Sequence, residues 1–129
     1  MFVAREARAE PMESSFRSDL EDPTACLLAG TLDDVILGYA AVRTETLTDG
    51  TTLGRISDLY VEPGGREVGV GEALMDAVLA WCRDRHCAGV DAMALPGDRA
   101  TKNFFESNGF TARLLVVHRR LDEAGRDPA

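Results

Sequence analysis

The stretch V-E-P-G-G-R-E-V-G-V-G at residues 61–71, running straight into E-A-L-M-D-A-V-L-A-W-C-R-D-R at residues 72–85, decides how the chain is read. An apolar run ends at Pro63, a Gly-rich turn follows, and an amphipathic helix opens at the glycines. The first backbone N–H groups of such a helix face a common point, which favours an anion such as phosphate. Gly69 and Gly71 let the main chain approach that anion closely, and Arg66 adds a cation beside it. The ligand suggested is a pyrophosphate. The spacing is not that of a P-loop, which ends in Gly-Lys followed by Ser or Thr, nor that of the Rossmann fingerprint G-x-G-x-x-G.

Downstream of the loop, Leu74, Val78 and Trp81 share one helical face, which Ala73, Ala77 and Leu79 broaden, so Trp81 reads as core and not as a cofactor stack. Gly89 is expected to close the helix region, and V-D-A-M-A-L at residues 90–95 to form a short buried strand. A strand-loop-helix-strand unit of this kind must pair in parallel. A second helix over residues 99–107 carries Phe104 and Phe105 and stops at Asn108-Gly109. F-T-A-R-L-L-V-V-H-R-R-L at residues 110–121 then reads as one long or bulged final strand.

Upstream, A-C-L-L-A-G-T-L and V-I-L-G-Y-A-A-V-R-T-E-T-L form a hairpin across Asp33-Asp34, and Asp49-Gly50 turns the chain into L-G-R-I-S-D-L-Y-V-E-P. Met12, Phe16 and Leu20 recur every fourth position between Pro11 and Pro23, the pattern of a short amphipathic helix. The expected fold class is therefore α/β: a helix, an antiparallel meander, then a β-α-β-α-β unit making a mixed sheet, with the ligand loop at a strand's C-terminal end.

The 129 residues make one domain, with residues 1–10 and 122–129 peripheral. Apolar residues at 45% and charged residues at 28% describe a globular protein without a bilayer-spanning run or a signal peptide, and the expected location is the cytoplasm. A net charge of −8 argues against nucleic acid and anionic membranes and leans towards a cationic partner. Cys26, Cys82 and Cys87 lack paired metal-ligand spacing and read as buried free thiols. His86 beside Cys87 supplies at most half a tetrahedral site, so no metal is expected.

The residues Val61, Pro63, Arg66, Gly69 and Gly71 fit V-x-P-x-x-R-x-x-G-x-G, which resembles the acyl-CoA loop of the GNAT superfamily of N-acetyltransferases. F-F-E-S-N-G-F at residues 104–110 is similar to the F-Y-x-x-x-G-F segment of the same superfamily. By order of elements the likeness covers roughly residues 12–121. The resemblance implies a GNAT-like acyl-CoA N-acyltransferase fold, acetyl-CoA or another acyl-CoA as cosubstrate, and an amine acceptor, small molecule or protein. It implies pantetheine between two splayed parallel strands, those ending at Val61 and Leu95. Leu59, Tyr60 and Val61 would offer main-chain groups to pantetheine, and Arg66, Glu67, Val68, Gly69, Val70, Gly71, Glu72 and Ala73 would surround the pyrophosphate. Asp98 stands where the superfamily often has Asn. Phe105 stands where it often has the Tyr that protonates the departing thiolate, and Phe cannot donate a proton. Glu67 and Val68 depart from the small or basic residues favoured in the loop, which points to reduced CoA affinity.

The chemistry asks for a base, because most amines are protonated at neutral pH, and for an N–H to hold an oxyanion. Main chain near Val61 could supply the N–H. Asp58 is the nearest ionisable candidate for the base, and simple alternation puts it on one face with Ile56 and Tyr60; the plainer reading of Asp58 is a hydrogen-bonded strand acid. Glu62 and Ser57 are weaker candidates. The superfamily usually has a strand and two helices where this chain has about ten residues before the Met12–Leu20 helix. That implies an open acceptor cleft, completion by a second copy in a homodimer, or a catalytically silent acyl-CoA-binding or interaction module in place of an enzyme.

Overall fold

The computed structural model describes residue 17 and residues 20–93 and 99–121. Arg17, Leu20 and Glu21 are helical, and the rest of the expected helix over residues 10–22 lies outside the described residues. The elements that follow are β1 (Ala25–Leu32), β2 (Val35–Thr46), β3 (Thr52–Val61), α1 (Pro63–Arg66), α2 (Val70–Asp84), β4 (Gly89–Ala92) and α3 (Arg99–Ser107).

The meander forms as the turn residues dictate. Asp33 and Asp34 both take positive φ, 51° and 65°, the pair of left-handed residues that matches the twist of a two-residue hairpin. Gly50, at φ 87°, closes the second turn. β1–β2 and β2–β3 pair antiparallel, β3–β4 pair parallel, and the sheet order is β1-β2-β3-β4. The mixed α/β sheet agrees with the expected class.

α2 crosses one sheet face. Its buried residues are Val70, Leu74, Met75, Val78 and Cys82, which pack with Ala40, Val42, Ile56 and Phe105. Burying an apolar side chain of this size stabilises the fold by about 1.5–3 kcal/mol. Met75 and Cys82, absent from the expected stripe, are core, whereas Ala73 is exposed and Trp81 is half-buried beneath Arg85, whose guanidinium carbon lies 4.4 Å from the ring centroid. The stripe is rotated because the sheet contact is made through small strand residues. A Cβ at Gly54 would lie 2.4 Å from Cys82 Sγ, and one at Gly30 would lie 2.6 Å from Val70 Cγ1. Cys82 is thus a buried free thiol, pushed up to about 11 chiefly by burial, with the neighbouring Cys87 adding to the shift.

Three expectations are corrected. α2 ends at Asp84 with His86 at positive φ, so Gly89 opens β4 and does not cap the helix. β4 is shorter than residues 90–95 and half-buried throughout, with Ala94 and Leu95 outside the described residues. Residues 110–121 form no strand: Leu114, Leu115, Val116 and Val117 stand 69–83% exposed. Four apolar residues in a row have no polar face to leave in water, so their strand propensity needs cover on both sides. The segment is held instead through a side chain, Arg113 gripping Asp91 of β4 with both ends of its guanidinium (Nε to Oδ1 2.8 Å). That contact holds the Asp91 carboxyl below its usual range.

Candidate active site

Among the described residues β3 and β4 pair from Leu53↔Gly89 to Ile56↔Ala92, and the ladder stops there: Met93 is outside the strand, while β3 continues through Ser57–Val61. The end of the ladder coincides with an irregularity in β3. Ala41 pairs with Asp58 but Val42 pairs with Ile56, so Ser57 is an extra residue, a β-bulge that bends the strand and increases its twist. At the end of the ladder lies a cleft of about 60 Å³, lined by Ile56, Ser57, Asp58 and Leu59 of β3, by Ala92 and Met93 at the end of β4, and by Thr101 and Phe105 of α3.

The bulge overturns the facing expected for Asp58. Ile56, Leu59 and Val61 all pack on the α2 side, although Ile56 and Leu59 are three residues apart. Asp58 lies on the other face with Tyr39 and Tyr60, since Tyr39 and Tyr60 are cross-strand partners with ring centroids 6.2 Å apart. The Tyr39 hydroxyl stands 3.5 Å from Asp58 Oδ2, a loose approach and not a tight hydrogen bond. The N–H and C=O groups of this part of β3 lie in the plane of the sheet and point alternately to β2, with which Asp58–Val61 pair, and to the cleft on the β4 side.

At the end of β3 the loop is more structured than a plain turn. Pro63–Arg66 make one helical turn with Pro at its start, Glu67–Gly69 turn back, and Gly69 takes φ 83° before α2. The first bond of α2 is Ala73 N–H to Gly69 C=O at 3.0 Å, so the N–H groups of Val70, Gly71 and Glu72 precede any acceptor within the helix. Arg66 folds back, its Nε–H donating to Val61 C=O at 3.2 Å, which ties the loop to the strand end. Val70 is buried, so only its main chain can face a ligand, while Glu67, Val68, Glu72 and Ala73 are exposed. Glu62, Glu67 and Glu72 set three acids against Arg66 around this helix start, an electrostatic cost to any bound pyrophosphate.

Phe105 is in the core, 8% exposed, and borders the cleft. Phe104 stacks edge-on against it and approaches Gly71, where an added Cβ would meet Phe104 Cε1 at 3.3 Å. α3 closes as expected, with Gly109 at positive φ and Phe110 N–H on Phe105 C=O at 3.1 Å. Asp98 lies outside the described residues. The fold therefore gathers Asp58, Leu59 and Phe105 at one cleft. Tyr39, Met93 and Thr101 join the neighbourhood unannounced by the sequence reading. Thr101 was within reach of it, because it stands four residues before Phe105 on the same helical face. Tyr39 required the β2–β3 register. Among the described residues no three His, Cys, Asp or Glu are placed to hold a metal ion, and no helix is long and apolar enough to cross a membrane.

A β3–β4 ladder that stops short, with a glycine-started helix at the end of β3, is the geometry against which the comparisons with known proteins are read. The acetyltransferase (GNAT) family model matches residues 2–110, so the chain belongs to that family, whose members are acyl-CoA-dependent acyltransferases. A curated relative, aminoglycoside N(6')-acetyltransferase type 1 of Stenotrophomonas maltophilia, is 29% identical over 116 residues, covering 87% of this chain and 76% of that protein. Among solved structures, AAC(6')-Iy in complex with a bisubstrate analogue, CoA-S-monomethyl-acetylneamine, superposes with a TM-score of 0.74 at 18% identity, covering 90% of this chain and 85% of that one. The aminoglycoside 6'-N-acetyltransferase AAC(6')-IG of Acinetobacter haemolyticus gives a TM-score of 0.72 at 19% identity over the same shares, 90% and 85%. These two likenesses are of fold.

Proposed function

We propose that the protein transfers an acetyl group from acetyl-CoA to a primary amine of a polycationic acceptor, with amino sugars of the aminoglycoside type as the first class to test. The observation that carries this reading is the β3–β4 ladder that stops short, with the N-terminus of α2 at the end of β3. The residues fit the cosubstrate: the Ser57–Val61 edge suits an extended amide-bearing arm, and the N–H groups of Val70, Gly71 and Glu72 suit a pyrophosphate. When bound, the thioester supplies an activated acyl carbon. Main chain near Val61 holds the oxyanion, and the Asp58 carboxylate takes a proton from the incoming ammonium group. The net charge of −8 and the aminoglycoside-modifying relative support a cationic acceptor.

Titration calorimetry with acetyl-CoA, followed by free-thiol release assayed over aminoglycosides, simple amines and Lys-bearing peptides, tests the reading. Binding together with aminoglycoside-dependent thiol release is expected. Binding with release only in the presence of peptides would replace the acceptor class and leave the transfer reaction standing.

We also infer a cytoplasmic homodimer. β4 is the outermost strand of the described sheet, and the uncovered Leu114–Val117 run lies just beyond the Arg113–Asp91 contact on it. An open edge beside an exposed apolar run is buried most simply against a second copy. Light scattering across micromolar concentrations should report twice the chain mass, and a monomer throughout would count against the dimer.

A further inference from the structure

The C-terminal end of α2 brings two thiols together at a place the transfer reaction does not use. His86 takes φ 59°, its N–H bonds Arg83 C=O at 3.0 Å, and Cys87 N–H reaches back to Cys82 C=O at 3.0 Å. These are the two bonds of a Schellman cap, which sets the residue after the left-handed position against the one five places earlier, usually as an apolar contact. Here both residues are free cysteines. Cys82 is buried over Gly54 of β3, and Cys87, half-buried, packs on the same core. The 3.0 Å bond between them also holds their Cα atoms within about 7 Å, the span a disulfide can bridge.

We propose that Cys82 and Cys87 form an oxidant-responsive dithiol, which hydrogen peroxide closes into a disulfide. Cys26 of β1 packs on the same core, but its backbone is fixed in the ladder opposite Val42, and no turn shared with α2 sets it at that span. The two thiols of the cap differ in kind. Burial, with Cys87 and then Cys26 beside it, pushes the Cys82 thiol up to about 11, so little thiolate forms there at neutral pH and the more accessible Cys87 is oxidised first.

Peroxide transfers one oxygen to the Cys87 sulfur, which becomes a sulfenic acid while the peroxide is reduced to water. The Cys82 sulfur then gives up its proton and attacks that sulfur. The S–S bond forms, the S–O bond breaks, and a second water leaves. Two thiols and one peroxide thus yield one disulfide and two waters, and a thiol reductant reverses the change. Ala88 N–H bonds Thr52 C=O at 2.8 Å and Gly89 opens β4, so the bridge ties the end of α2 to the start of β4. It lies about 18 Å along the helix from the α2 start that faces the pyrophosphate.

Trypsin separates the three cysteines, cutting after Arg17, Arg43, Arg66, Arg83, Arg85 and Arg99 to leave Cys26 in residues 18–43, Cys82 in 67–83 and Cys87 in 86–99. The full chain, treated with one equivalent of hydrogen peroxide and then alkylated, should lose the mass of two hydrogens and yield peptide 67–83 joined to 86–99, with 18–43 alkylated. Dithiothreitol should restore the mass. Cys26→Ser should form the same link, and Cys87→Ser should form none. Either of two results would overturn the proposal: Cys87 carrying two added oxygens with 67–83 unlinked, or Cys26 joined to Cys82 in place of Cys87. Thiols that all remain alkylatable after excess peroxide would overturn it as well.

Discussion

Asp58→Asn should lower kcat for an amine acceptor by about a hundredfold or more near neutral pH, since a positioned base contributes roughly 10² to 10⁴ in rate. The change keeps the side chain's shape and its oxygen facing the Tyr39 hydroxyl, so the bulge at Ser57 and the cleft at the end of the β3–β4 ladder should survive. Binding of acetyl-CoA should therefore stay within about twofold, because none of the groups assigned to its pyrophosphate or arm has altered. The pH profile separates the base from a structural role. A protonated acceptor amine, with a pKa of roughly 8 to 10, must lose a proton before attack. The variant should depend on bulk solvent to remove it, so its rate should climb with pH and approach the parent's where the amine is already neutral. A deficit of equal size at every pH would show that Asp58 supports the strand and moves no proton.

The difference between what the chain discloses and what the fold adds is clearest at this residue. The meander, the loop and the helix after it are legible because each is set locally: Asp33-Asp34 and Asp49-Gly50 suit left-handed turns, and Gly69 takes the positive φ that starts α2. The facing of Asp58 is not local. Counted along I-S-D-L-Y, strict alternation places Asp58 with Ile56. The extra residue at Ser57 exists only in the register against β2, and it exchanges the two faces from there to Val61. Residues 110–121 failed as a strand for a related reason. Leu114–Val117 have the composition of a strand, yet a strand is an arrangement of two segments, and this one is in no ladder with β4, which it meets through the Arg113–Asp91 side-chain contact. The buried Cys82 lay between these cases. Its burial was readable from residue type, but its seat over Gly54 depended on how closely α2 could approach the sheet.

Gly71→Val should weaken acetyl-CoA binding by about tenfold to a hundredfold, or about 1.4 to 2.7 kcal/mol. The first glycine of the pair serves conformation: Gly69 sits at φ 83° with nothing within 4 Å of where a Cβ would be. Gly71 serves contact. A Cβ there would lie 3.3 Å from Phe104 Cε1 and 3.6 Å from Val61 Cγ2, so the first turn of α2 is pinned between α3 and the end of β3. Alanine at this position needs a shift of only a few tenths of an ångström. The two γ-methyls of Val, on a stiff β-branched stem, must displace either the Phe104 ring or the helix start. Either movement disturbs the site, because the N–H groups of Val70, Gly71 and Glu72 travel with the helix and Phe104 packs on Phe105 at the cleft. Overpacking of this kind typically costs about 1–3 kcal/mol of stability, so thermal melts must accompany the calorimetry and binding be compared at a temperature where each variant is folded. The expected order of affinity is parent, then Gly71→Ala close behind, then Gly71→Val. If folded Gly71→Val binds acetyl-CoA as tightly as the parent, the α2 N-terminus does not hold the pyrophosphate, and the cosubstrate must enter this fold by another route.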